Sequence, residues 1–88
     1  MILARVVGTV VATRKDPRLE GKKLLIIKPV GPDGKEESGY VVSVDTVGSG
    51  VGERVIAVAG SSARMAEGCK EAPVDNAIIG IVDEVHLD

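Results

Sequence analysis

The sequence has no phenylalanine and no tryptophan, and Tyr40 is its only aromatic residue. The hydrophobic 44% of the chain is therefore almost wholly Val, Ile, Leu and Ala. Side chains of that size fill little volume each, so the core they build is thin. The lack of aromatics also removes the platforms on which proteins stack single-stranded nucleic acid. A single cysteine, Cys69, excludes a disulfide within the chain. With one histidine, His86, far along the chain from it, no metal-ligand cluster is expected and no cofactor is implied. No apolar run is long enough to span a membrane. Met1 to Thr13 carries Arg5 and is interrupted by Gly8 and Thr9, so it does not read as a signal peptide and an intracellular protein is expected. At 88 residues the chain is a single domain, 1–88, near the size at which folds need reinforcement. Disulfides and metals being absent, oligomerisation is the remaining means.

The net charge of −2 argues against nucleic acid as the main partner. That charge is unevenly spread. Residues 1–44 hold eight Lys/Arg against five Asp/Glu, a balance of +3, while residues 45–88 hold three against eight, a balance of −5. If the two halves surface on opposite flanks, one copy's basic flank can meet the acidic flank of the next, as in a head-to-tail ring.

Alternating apolar residues and turn signals predict about five short strands. The first covers Met1 to Thr13, with Ile2, Ala4, Val6, Val10 and Ala12 on one face and Leu3, Val7 and Val11 on the other. Two apolar faces on one strand of a small barrel make the second a candidate interface, unless a loop of the same chain covers it. Arg14 to Lys23 is a polar loop. Leu24 to Val30 is a second strand, Gly31 to Gly39 an exposed hairpin tip, Tyr40 to Val47 a third strand and Glu53 to Ala59 a fourth. Ser61 or Ser62 can cap a short helix over Ala63 to Glu67, ended by Gly68, and Ala77 to Val85 is the last strand. The expected fold is all-β: a small five-stranded, OB-like or SH3-like closed barrel with one short helix before the last strand.

The chain's most distinctive stretch lies between the third and fourth strands. Gly48, Gly50 and Gly52 alternate around Ser49 and Val51, Glu53 follows, and a second small-residue turn, Gly60, Ser61 and Ser62, leads to Arg64. So much glycine in one loop marks a tight turn, a ligand cradle or a close subunit contact. The spacing G-x-G-x-G is not a dinucleotide fingerprint, and a strand follows where a helix should. No nucleophile has a histidine nearby in sequence, so no enzyme is expected.

Several words of the sequence resemble the EutN/CcmL family of bacterial microcompartment vertex proteins. They are V-V-G-T-V-V-A-T-R-K from Val6, G-K-K-L-L-I-I-K-P from Gly21, V-D-T-V-G-S-G-V-G-E-R-V from Val44, G-S-S-A-R from Gly60 and P-V-D-N-A-I-I-G-I-V-D from Pro73. The resemblance implies an OB-like barrel assembling into a homopentamer. Such rings cap the vertices of an icosahedral shell in the bacterial cytoplasm, tiled otherwise by hexameric and pseudohexameric shell proteins. On that reading Gly48, Ser49, Gly50, Gly52, Glu53, Gly60, Ser61, Ser62 and Arg64 are candidates for subunit contacts or the rim of a central opening. Two other readings compete. An OB-type single-strand binder lacks its aromatics here, and a co-chaperonin-like ring lacks the apolar triplet that its mobile loop would need within Gly31 to Gly39.

Overall fold

The computed structural model describes residues 1–88. Five strands, β1 (Ile2–Val10), β2 (Lys23–Pro29), β3 (Val41–Asp45), β4 (Arg54–Ala59) and β5 (Asn76–Ile81), form a closed barrel in the order β1-β2-β3-β5-β4. All neighbours are antiparallel except β3 and β5, whose short parallel pairing sets Val44 beside Ala77 and Asp45 beside Ile78. Because β5 inserts between β3 and β4, the glycine-rich loop is not a hairpin. It must cross the mouth of the barrel to carry the chain from β3 to β4.

The fold class is the expected one, and strand boundaries differ at the ends. β1 stops at Val10 rather than Thr13, and β5 stops at Ile81 rather than Val85. The expected alternation along β1 also breaks. Val6 lies opposite Ile27 and Gly8 opposite Ile26, so Val7 is an extra, bulged residue. Beyond it, Thr9 and not Val10 lies opposite the interior residue Leu25. The predicted helix over Ala63 to Glu67 is instead a 3₁₀ turn, Gly60–Met65, with no side-chain cap. Neither Ser61 nor Ser62 caps it, because the turn already begins at Gly60, whose φ of +66° suits glycine and whose amide donates to the Asp75 carbonyl at 2.7 Å. No helix is long and apolar enough to cross a membrane.

Two apolar clusters hold the chain together. Ala4, Val6, Leu25, Ile27, Val55, Ala57 and Ile78 fill the barrel. A second cluster lies outside the barrel wall: residues Ala63, Cys69, Ala72 and Val74 of the β4–β5 crossover lie against Val44, Val58 and Ala77. These two layers define which outer surface is free. The crossover covers the outer side of β5 with Val44 of β3 and Val58 of β4, and the outward residues of β1 and the start of β4, Arg54 and Ile56, lie outside that cluster.

Candidate subunit interface

The glycine-rich loop is rigidly held from within. Asp45, at the end of β3, accepts from the Ser49 hydroxyl at 2.6 Å, the Ser49 amide at 3.0 Å and the Val47 amide at 3.3 Å. Lys23 donates to the Ser49 carbonyl. Partial burial acts to raise the Asp45 pKa, but the hydrogen bonds from Ser49 and Val47 and the nearby Lys23 charge outweigh it and hold the carboxyl below its ordinary value. On the other flank the Gly52 amide donates to the Val6 carbonyl at 2.8 Å and Arg5 donates to the Gly52 carbonyl at 3.0 Å. The Glu53 carboxylate accepts from the Gly50 amide at 2.8 Å.

These bonds sort the sequence candidates. Ser49 is fully buried, and its side chain serves the loop's own fold. Gly48 and Gly52 have φ of +76° and +93°, conformations that L side chains rarely adopt. Gly50 has no such requirement, and a Cβ there would meet only the Glu53 carboxylate, at 3.7 Å. With its base fixed, the loop presents Val51 to solvent.

In the Gly60–Met65 turn, Ala63 is wholly buried in the outer cluster, while Ser61, Ser62, Arg64 and Met65 point outward. None of the side chains of Ser61, Ser62 and Arg64 is hydrogen-bonded within the subunit. The structure does not bring this turn together with the glycine loop. They flank opposite ends of β4, whose six residues span on the order of 20 Å.

The bare face between them adds residues that sequence reasoning reached only in part. Leu3 lies opposite Ile56, and Val7 is 38% exposed, as the second face predicted for β1 requires. Arg5 lies opposite Lys28 on one side and Arg54 on the other, so three cations cross the sheet in one row. Their outward alternation is visible in sequence, since each precedes or follows an interior residue. Their alignment depends on strand order and register, which is not.

The chain exposes 5,550 Å², against about 4,900 Å² expected for a monomer of 9.1 kDa. No group of three His, Cys, Asp or Glu side chains is arranged to hold a metal. His86 contacts Glu84 at 2.9 Å, and no serine side chain bonds to it.

The family model described as ethanolamine utilisation protein EutN/carboxysome matches residues 1–83. The chain belongs to the EutN/CcmL family. It is 49% identical over 87 residues to the bacterial microcompartment shell vertex protein PduN of Salmonella typhimurium, covering 94% of this chain and 96% of that one. To the carboxysome shell vertex protein CcmL of Synechococcus elongatus it is 43% identical over 88 residues, covering 100% of this chain and 89% of that protein. Among solved structures, the GrpN pentameric microcompartment shell protein from Rhodospirillum rubrum superposes with a TM-score of 0.92 at 42% identity, covering 100% of both chains. As a EutN/CcmL barrel, the subunit matches the family over a span that includes the pinned loop, β4 and the outward turn.

Proposed function

We propose that this protein is a structural shell protein: a homopentamer that caps the vertices of a bacterial microcompartment and closes the shell laid down by hexameric and pseudohexameric proteins. The observation that carries this reading is the end-to-end likeness to a pentameric shell protein. The physical features support it. A thin core of small side chains, an uncovered outer face on β1 and β4 and surface in excess of a monomer's all favour burial against identical copies. A stable contact between neighbours would bury roughly 1,200–2,000 Å² in total.

Its role on this reading is geometric. Five-fold closure introduces the curvature that flat hexagonal tiling lacks, and it asks for no substrate, cofactor, nucleic acid or membrane. The pinned loop and the outward turn, at opposite ends of β4, offer two separate segments for subunit contacts or the rim of a central opening. Arg64, with no intramolecular hydrogen bond, is free to reach a carboxylate or carbonyl across such a contact.

The test is co-expression with hexameric shell proteins, with and without this chain, followed by electron microscopy. Closed polyhedral particles only when the chain is present support the proposal. Particles whose closure is indifferent to it refute the proposal.

A further inference from the structure

Arg5, Lys28 and Arg54 form a cross-strand row of like charge on the outer wall of the barrel. Ala4, Val6, Ile27 and Val55 beside them fill the interior, so alternation turns all three side chains outward. All three are partly covered, and none has a carboxylate within 4 Å. Like charges directly opposite one another destabilise a sheet. Within the subunit Arg5 donates to the Gly52 carbonyl at 3.0 Å, but no carboxylate neutralises the row.

The same subunit carries the complementary charge without a use for it. After the Val82 amide donates to the Arg54 carbonyl at 2.9 Å, residues 83–88 make no backbone hydrogen bond. This segment contains Asp83, Glu84 and Asp88 and no Lys or Arg. Asp83 and Asp88 pair with nothing, and Glu84 meets only the exposed His86. Its polar side chains Glu84 and His86 share one side, as their 2.9 Å contact demonstrates, which places Val85 and Leu87 on the other if the segment stays extended. An extended strip with Glu84 and Asp88 along one edge and Asp83, Val85 and Leu87 along the other matches the bare wall, where the cation row borders Leu3 and Ile56.

We infer that the acidic segment 83–88 of one copy lies on the Lys28–Arg5–Arg54 row of its neighbour, and that this contact sets the direction and much of the affinity of ring closure. The inference rests on the ring reading above and adds which surfaces meet. On the ring reading the contact is heterologous, one copy's segment meeting the next copy's row, the kind that propagates around an axis.

The experiment uses the full chain and native mass spectrometry across a dilution series. Lys28→Glu with Arg54→Glu reverses the row while sparing Arg5, which also holds the loop. Glu84→Lys with Asp88→Lys reverses the acidic edge of the segment. Each double variant is expected to raise the concentration of half-dissociation by about tenfold or more, in proportion to lost electrostatic complementarity. An equimolar mixture of the two is expected to regain rings, because a reversed row then meets a reversed segment on another copy. The ring size being odd, each mixed ring keeps one mismatched contact. The neutral pair Lys28→Gln and Arg54→Gln shifts dissociation in the same direction by a smaller factor, which keeps the test intact should a reversed chain fold poorly. Reversed variants that hold together as tightly as the parent overturn this contact and leave the ring reading standing, as does a mixture that fails to regain rings. A parent chain that never assembles overturns both.

Discussion

The Ser49 hydroxyl and the Ser49 amide both donate to the one carboxylate of Asp45, at 2.6 and 3.0 Å. Through this pair the most glycine-rich part of the chain becomes a fixed plug across one mouth of the barrel. Removing either side should free the loop without unfolding the strands. Ser49→Ala is expected to cost about 1.5–3 kcal/mol, the range for a hydrogen bond to a charged group. The check is amide exchange, which should quicken at Val47 to Gly52 and stay slow in β1 and β4.

Acidification should act on the same pair. The Asp45 carboxyl is held below its ordinary pKa, so its contribution is present above about pH 3.9, the value for an unfolded Asp, and disappears as the pH falls through the folded value. An NMR titration of the Asp45 carboxyl should therefore give a midpoint below the ordinary one, and Ser49→Ala should move it back up. A midpoint already at the ordinary value would mean the loop is not held as described.

The three loop glycines should respond differently to substitution. Gly48→Ala and Gly52→Ala force a side chain into the left-handed region and are expected to cost about 1–2 kcal/mol each. Gly50→Val meets no backbone strain and only the flexible end of Glu53, so the subunit should still fold. If the loop approaches a neighbouring copy at that position, Gly50→Val, and independently Arg64→Glu in the outward turn, should shift the protein from pentamer toward monomer in native mass spectrometry. Unchanged pentamers from both would remove these segments from the subunit contact.

The barrel interior offers a contrast between two opposed residues. Leu25 lies across from Ser43 in the β2–β3 register, and both are buried. Leu25→Ala should cost about 2–5 kcal/mol by opening a cavity in a core with few large side chains. The Ser43 hydroxyl, however, has no hydrogen-bond partner. Ser43→Ala should therefore be neutral or stabilising, by up to about 1–3 kcal/mol, since an unpaired buried hydroxyl carries a desolvation penalty. Thermal melts at one fixed protein concentration compare the two.

Local pattern made the strands legible. The alternation in Tyr40 to Val47 and Glu53 to Ala59 marks strands that are observed, although burial departs from period 2 at Val44 and Val58, which the crossover covers. It misled at β1, where the Val7 bulge shifts the phase: a bulge is decided by the partner strand, and Ile26 and Ile27 lie about twenty residues away in sequence. Serine is a good cap, so the sequence predicts a helix over Ala63 to Glu67, whereas burial of Ala63 against the barrel wall goes with a tighter 3₁₀ turn, Gly60–Met65. Among site residues, the loop and turn stood out by composition. The Lys28–Arg5–Arg54 row did not, since it exists only once three strands are in register.

The central claim is that identical copies close into a ring of five, and the mass of the purified full chain in solution tests it most directly. Sedimentation equilibrium or native mass spectrometry at micromolar concentration should give five times the 9.1 kDa subunit mass. A folded species of one subunit mass under those conditions would contradict the account.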